Sequence, residues 1–156
     1  NNKGILVSRL ADENEIKLLK KSTGLPVERL LSRYTSAGNL ISANDKGVIA
    51  STLLKDMENQ IVDVLDAPVE FITIASFNQV GALMVSGNEG SAIHPQALDE
   101  EITKAAKILK VDVEPITINR GLPYIASGII LTKEKAIVGS LTTGPELIML
   151  SRIFKL

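Results

Sequence analysis

Cysteine is absent from the 156-residue sequence, which excludes disulfides, thiolate metal sites and cysteine nucleophiles. A chain without cysteine also suits a cytoplasmic location, which is what we expect. Tryptophan is absent too and aromatic residues make up only 3%, so we expect an aliphatic core and no stacking platform for single-stranded nucleic acid. No apolar run approaches the roughly 20 residues that cross a bilayer, so we expect no membrane association.

An excess of charge of one sign is also missing. Lysine and arginine total 17 and aspartate and glutamate total 18, for a formal net charge of −1. A protein that holds nucleic acid mainly through phosphates usually carries a basic excess, so we expect contacts to run largely through protein. The single histidine, His94, could act as a general base only with a second reactive group nearby. We interpret it as a strand-end residue before Pro95, which we expect to open a helix.

The sequence does contain a repeat of about 43 residues. Gly38 and Gly47 recur 43 residues later as Gly81 and Gly90. Three turns of matching sequence result: Asn2-Lys3-Gly4, Asp45-Lys46-Gly47 and Asn88-Glu89-Gly90. A looser fourth copy spans 128–138.

Each copy predicts the order strand, strand, helix, strand. Two short apolar strands are joined by an Asn/Asp/Gly turn, whose residues tolerate positive φ and suit a tight hairpin. An amphipathic helix follows, and its apolar stripe in the third copy consists of Leu98, Ile102, Ala105 and Leu109. A further strand is predicted at 69–75 in the second copy and at 113–118 in the third.

One such unit cannot bury its sheet and its helix stripe alone, so neighbouring copies must cover it. An open stack would need polar capping units, which the sequence does not show, whereas a closed ring needs none. We therefore predict a single α/β domain, of the α+β kind, over 1–156. Its units lie at about 1–37 (partial), 38–80, 81–124 and 125–156, which makes about 3.6 copies. Because the chain begins inside a hairpin turn, we expect it to lack an N-terminal portion.

The order and spacing of several motifs resemble the translation initiation factor 6 family. The segments that carry the resemblance are Gly38-Asn39, Val80-Gly81, Ser86-Gly87-Asn88-Glu89-Gly90, His94-Pro95, Ile118-Asn119-Arg120-Gly121 and Arg152-Ile153-Phe154-Lys155-Leu156. The ending is similar to that of archaeal members. The resemblance implies a pentein-type β/α propeller, with five strand-rich repeats around a pseudo-fivefold axis.

The resemblance also implies a function. Members of the family bind the large ribosomal subunit and prevent its premature association with the small subunit, in translation initiation and large-subunit biogenesis. The implied partners are ribosomal protein uL14 and, nearby, the sarcin–ricin loop of the large rRNA. No small-molecule substrate, cofactor or catalytic step is implied, and we expect a monomer.

The ribosome-binding surface implied by the resemblance lies where the first strand of a repeat starts. The residues at these positions are Asn39, Leu40, Asn78, Gln79, Val80, Ala82 and Leu83. A second set is interpreted as structural turns: Asn44, Asp45, Gly47, Asn88, Gly90, Asn119, Arg120 and Gly121. Their acidic and amide groups could suggest a cation site, but too few carboxylates converge, and we expect no metal. For 119–121 the alternative is a contact with partner or rRNA; we favour a turn, with Arg120 paired inside the protein.

Two other functions are compatible with this predicted fold. The pentein fold also hosts guanidine-modifying enzymes, but these resemble one another in using a cysteine nucleophile near the C-terminus, and this chain has no cysteine. The second alternative is a generic protein-interaction ring with a different partner. Co-sedimentation with isolated large and small ribosomal subunits would separate it from the ribosomal function.

Overall fold

The computed structural model describes all of residues 1–156. Six α-helices, α1 to α6, span Glu13–Thr23, Ala37–Leu40, Glu58–Leu65, Val80–Leu83, Asp99–Leu109 and Gly144–Phe154. Ten strands, β1 to β10, span Ile5–Val7, Val27–Arg29, Ile41–Ala43, Val48–Ser51, Val69–Ile72, Met84–Ser86, Ser91–Ile93, Val113–Pro115, Ile129–Leu131 and Ala136–Val138. Two 3-10 helices span Thr52–Met57 and Ile125–Ser127. None of the helices combines the length and the apolar character needed to cross a bilayer.

The strands form four small sheets, and the fold is mixed α/β without a closed barrel. Two three-stranded sheets have the orders β3-β4-β5 and β6-β7-β8, with an antiparallel first pair and a parallel second pair in each. A helix, α3 or α5, connects the two parallel strands, since a parallel pair needs a long crossover. The predicted order of strand, strand, helix, strand is therefore observed in both segments.

The remaining two sheets have two strands each. Strands β1 and β2 are parallel and are connected through α1, as the parallel pairs of the larger sheets are connected through their helices. Strands β9 and β10 form an antiparallel hairpin, like the first pair of each larger sheet.

Three mainly aliphatic clusters form the core. Each cluster combines residues of one sheet with residues of the helix that follows the hairpin of the next sheet along the chain. Ile49 in β4 is fully buried in one cluster with Ala105 and Leu109 of α5. Ala92 in β7 is fully buried in another cluster with Leu150 of α6. Burying a large aliphatic side chain contributes about 1.5–3 kcal/mol, so these junctions stabilise neighbouring units against each other.

The glycine at the end of each hairpin turn is needed for a different reason from the one predicted. No residue of the turns after β3 and β6 has a positive φ, so the expectation of left-handed turn residues there was wrong. A Cβ on Gly47 would instead lie 2.2 Å from the carbonyl oxygen of Ile108, and one on Gly90 would lie 2.0 Å from that of Ile153. Only glycine lets the turn approach the C-terminal end of the next helix so closely.

Three predicted element boundaries were also wrong. Helix α5 begins at Asp99, so Pro95 does not open it, and Leu98 lies outside it with 61% exposure. The strands predicted at 69–75 and 113–118 end earlier, at Ile72 and Pro115, because the chain makes tight turns just beyond them.

Candidate functional site

The short helices and the hairpin turns lie at opposite ends of the structure, because β3 and β6 run from one to the other. We call the segments 34–40, 74–83 and 121–128 the short-helix end, and the turns 1–4, 44–47, 87–90 and 132–135 the hairpin end. At the short-helix end, α2 packs beside α4, and α4 packs beside the 3-10 helix Ile125–Ser127. All the binding residues implied by the family resemblance are at this end.

The exposed members of the implied binding set are polar or small. Asn39 and Gln79 are exposed, and Asn78 and Ala82 are half-buried. The carboxamide oxygen of Asn78 accepts a hydrogen bond from the hydroxyl of Thr52 at 3.1 Å, so its side chain is already held. Asn39, Gln79 and Ala82 are therefore the members of the set that are available to a partner.

Three other members are not available to a partner. Leu40, Val80 and Leu83 have 5%, 0% and 0% exposure, because the inner side of each short helix packs into the core. The contact role expected for their side chains is therefore corrected to a packing role. Asn39 and Ala82 also lie within four-residue helices rather than at the start of a strand.

Close packing holds the short helices together. A Cβ on Gly81 would lie 2.2 Å from the carbonyl oxygen of Gly38, so only glycine permits α4 to contact α2 at this distance. Gly38 itself has no atom within 4 Å of its Cβ position.

The three segments of the short-helix end are themselves uncharged, although exposed Arg33 and Arg120 directly precede two of them. These segments contain no Lys, Arg, Asp or Glu, whereas the hairpin end contains Lys3, Asp45, Lys46, Glu89, Lys133, Glu134 and Lys135. Three large apolar residues are nevertheless exposed there: Phe77 at 46%, Leu122 at 37% and Tyr124 at 45%. Depletion of charge together with exposed aromatic residues is typical of the centre of a protein–protein interface.

Two tight turns with left-handed backbone lie within or directly beside the short-helix end. Ala75 and Ser76 have φ of 49° and 68°, and Asn119 and Arg120 have φ of 51° and 64°. Each such non-glycine residue costs of order 1 kcal/mol, so the surroundings must hold these turns. A buried glutamate from the following helix does so in both cases.

The first of these glutamates is Glu101 in α5, which is 8% exposed. Its carboxylate accepts a hydrogen bond of 2.9 Å from the backbone N–H of Ala75 in the turn. It accepts a second, also of 2.9 Å, from the backbone N–H of Leu98 at the helix start. One side chain thus connects the turn to the helix.

The second is Glu146 in α6, which is 7% exposed. Its carboxylate accepts from the backbone N–H groups of Gly121 at 3.0 Å and Arg120 at 3.2 Å, and from the hydroxyl of Thr117 at 2.8 Å. It also accepts from the N–H of Thr143 at 2.8 Å. Burial alone would raise the pKa of Glu146, but these hydrogen bonds outweigh it and lower the pKa to about 2.

The segment 119–121 forms a turn, but the interpretation of Arg120 as an internally paired residue was wrong. Its side chain is exposed and takes part in no salt bridge; only its backbone N–H is bound, by Glu146. Gly121 has a φ of 94°, which favours glycine.

At the hairpin end, Asn44 connects one turn to the next. It is 4% exposed, and its Nδ2 donates to the carbonyl oxygens of Gly87 at 3.0 Å and Leu109 at 2.9 Å. Its Oδ1 accepts from the backbone N–H groups of Lys46 and Gly47, both at 2.9 Å. The carboxamide thus shapes its own turn and holds the neighbouring one.

Asn1 makes the same contacts 43 residues earlier. Its Nδ2 donates to the carbonyl oxygens of Asn44 at 3.3 Å and Leu65 at 2.8 Å. Its Oδ1 accepts from the N–H groups of Lys3 and Gly4, both at 3.1 Å. The pattern ends at Gly87, which has no side chain to continue it.

Asp45 and Asn88 form a second link between the turns. Asn88 Nδ2 donates to Asp45 Oδ2 at 2.6 Å, and the Asp45 N–H donates to Asn88 Oδ1 at 2.9 Å. Burial raises the pKa of Asp45, but hydrogen bonds from the Asn2 N–H and the Asn88 side chain lower it below its ordinary value. A cavity of about 600 Å³ opens among these turns, and the amide and carboxylate groups of Asp45 and Asn88 that line it are bonded to each other.

The single histidine, His94, makes a hydrogen bond to its own local backbone. It is 4% exposed, and its Nδ1 accepts a hydrogen bond of 3.1 Å from the backbone N–H of Gln96. Ser51, 43 residues earlier, accepts from the N–H of Leu53 at 3.3 Å. Burial lowers the pKa of His94, although the charge of Glu101 opposes this.

Comparison with known proteins agrees with the motif resemblance. Residues 1–153 match the eIF-6 family. The chain belongs to that family. Its curated relatives include translation initiation factor 6 of Nitrosopumilus maritimus, 46% identical over 155 residues that cover 99% of this chain and 70% of the relative. The same factor of Pyrobaculum aerophilum is 36% identical over 98% of this chain and 70% of the relative. The factor of Methanocaldococcus jannaschii is 35% identical over 96% of this chain and 68% of the relative.

Two features of this eIF-6 family chain escaped the sequence analysis. The contact of Asn44 with the neighbouring turn was missed, although the recurrence of Asn at positions 1 and 44 is a signal for it. The turn-holding role of Glu101 was also missed, because nothing in the sequence marks Ala75 as a left-handed residue.

Proposed function

We propose that this chain acts in translation initiation by binding the large ribosomal subunit and preventing its premature association with the small subunit. The name shared by its relatives, translation initiation factor 6, supports the role in initiation. A part in large-subunit biogenesis belongs to the same proposal, since a factor that occupies the subunit face would act on newly made subunits as well.

The proposed binding surface is the short-helix end. The observation that carries it is the absence of charged residues in the three segments that also expose Phe77 and Tyr124. Asn39, Gln79 and Ala82 lie on this surface and would contact the partner. Ribosomal protein uL14 is the partner we propose, with the sarcin–ricin loop close by.

We also propose that the units belong to a closed pentein ring, with boundaries near 38, 81 and 125. Support comes from the two three-stranded sheets of equal order and from the burial of Ile49 and Ala92 by the next helix. Ile130 and Ile137, on the equivalent face of β9 and β10, are 66% and 69% exposed. A further unit of the ring would cover them in the same way.

The mechanism needs no catalytic step and no cofactor. A rigid body bound through one flat end occupies the surface that the small subunit requires. An interface of roughly 1,600 Å² in total is enough for stable binding, and a monomer can provide it.

Co-sedimentation with isolated ribosomal subunits tests the proposal. We expect the protein to pellet with large subunits and not with small ones, and to reduce the yield of joined ribosomes when the two subunits are mixed. Equal binding to both subunits, or binding to neither, would contradict the function and favour an interaction partner outside the ribosome.

A further inference from the structure

Two turns at the short-helix end present large apolar side chains to solvent. Phe77 closes the turn after β5, where it exchanges hydrogen bonds of 3.0 and 2.9 Å with Ile74. Leu122 closes the turn after β8 in the same way, with hydrogen bonds of 2.9 and 2.7 Å to Ile118. Tyr124 follows after Pro123 and directly precedes the last short helix.

A large part of each of these three side chains faces solvent, although the Phe77 ring also lies 6.3 Å from the ring of buried His94. They are between 37% and 46% exposed, whereas Ile74 and Ile118 at the other side of each turn are fully buried. The inner residue of each turn therefore packs in the core, and the outer residue keeps an exposed apolar surface that a partner could cover.

The turns are also held in one conformation before any partner binds. Ala75, Ser76, Asn119 and Arg120 keep left-handed backbone angles that such residues rarely adopt. Buried Glu101 and Glu146 hold these angles by accepting backbone N–H groups. Strained backbone held by its surroundings is concentrated at functional sites, and a preformed surface loses less entropy on binding.

The charge around the turns decides which chemistry they can bind. The three segments of the short-helix end contain no lysine or arginine to contact a phosphate. Exposed Arg33 and Arg120 directly precede two of them, and the Arg33 guanidinium donates a hydrogen bond of 2.8 Å to the hydroxyl of Tyr34. The two buried carboxylates behind the turns would repel phosphates further. An aliphatic protein surface has the complementary character, since aromatic anchors that bury against apolar partners dominate most interface energies.

We infer that Phe77, Leu122 and Tyr124 are the apolar anchors of the short-helix end, and that they dock on an aliphatic protein surface of the large subunit rather than on rRNA phosphates. This inference rests on the proposed function, because it assigns the partner chemistry of the same surface.

The test measures binding of the full chain to purified large subunits for single serine variants. Phe77→Ser, Leu122→Ser and Tyr124→Ser should each weaken binding by at least about 10-fold. Ile148→Ser is the matched control, because Ile148 is 73% exposed on α6 and lies outside the short-helix end; it should bind like the unmodified chain. Phe77→Leu keeps an apolar anchor and should retain affinity within about 3-fold. An unchanged urea midpoint for each serine variant separates lost contact from lost folding.

Salt dependence distinguishes the two partner chemistries. Between 50 and 200 mM salt, 6–10 phosphate contacts would reduce affinity about 10³–10⁵-fold, whereas an apolar protein contact should change it by less than about 3-fold. A steep loss of affinity would overturn the inference in favour of rRNA.

The outcomes also separate this inference from the proposed function. If the serine variants bind normally while the unmodified chain binds large subunits, the anchors are wrong and the ribosomal function stands. If the unmodified chain does not bind large subunits at all, both are wrong.

Discussion

The hairpin end and the short-helix end are built from the same units but differ in what their side chains do. At the hairpin end, side-chain amide and carboxylate groups are hydrogen-bonded to neighbouring turns, as in the contacts of Asn44 and Asp45. Exposed ion pairs such as Lys155 with Glu89, at 3.0 Å, surround them. The three segments of the short-helix end contain no charged residue, and apolar side chains remain exposed there.

This difference assigns stability to one end and recognition to the other. Polar groups that bond within the chain contribute to folding and leave little for a partner, whereas exposed apolar groups gain only when a partner covers them. Matched substitutions at the two ends should therefore separate loss of stability from loss of binding.

The largest expected effect comes from a pair of glycines. Gly47→Ala places a methyl group 2.2 Å from the carbonyl oxygen of Ile108, so we expect the free energy of unfolding to fall by about 3 kcal/mol or more. Gly38→Ala meets no atom within 4 Å and lies in a helix, so stability should stay the same or rise by up to about 1 kcal/mol. Urea titration measures both, and equal losses would show that the hairpin end is not specially constrained.

A pair of asparagines should give the next largest effect. Asn44→Ala removes two donated and two accepted hydrogen bonds in a buried site, and we expect a loss of about 2–3 kcal/mol. Asn39→Ala changes an exposed residue and should alter stability by less than about 0.5 kcal/mol. Thermal or urea unfolding of both variants checks this, and a stable Asn44→Ala protein would refute the assigned role of this carboxamide.

The smallest effect concerns the support behind the binding surface and depends on pH. The pKa of Glu146 is lowered from 4.5 to about 2 in the folded protein, so its carboxylate stabilises the fold fully above pH 4.5. That stabilisation is lost as pH falls towards 2. Glu146→Gln should cost about 1–2 kcal/mol at pH 7 and much less near pH 2. A constant difference across this range would contradict the role of the charge.

Much of the unit structure could be predicted from the sequence because hairpin turns and helix stripes repeat at a fixed distance. The short helices could not, since four residues are too few to show a helical period. For the same reason Leu40 and Leu83 were expected on the surface, whereas the single helical turn directs them inward.

The reasons for individual residues were harder to predict than the elements. Glycine at 47 reads as a turn residue in the sequence, and only the packed structure shows the helix carbonyl that excludes a side chain. Ala75 carries no signal for a left-handed backbone, because that conformation is imposed by Glu101 from a distant position. Long-range contacts of this kind leave no local pattern.

The division between the two ends is tested most directly by placing the same substitution at each. Asn39→Arg introduces a charge at the short-helix end, and Asn2→Arg introduces it at the hairpin end, where Asn2 is also exposed. Co-sedimentation with large ribosomal subunits should show binding lost by at least about 10-fold for Asn39→Arg and unchanged for Asn2→Arg, with both proteins folded. Normal binding by Asn39→Arg together with lost binding by Asn2→Arg would contradict the account and place recognition at the hairpin end.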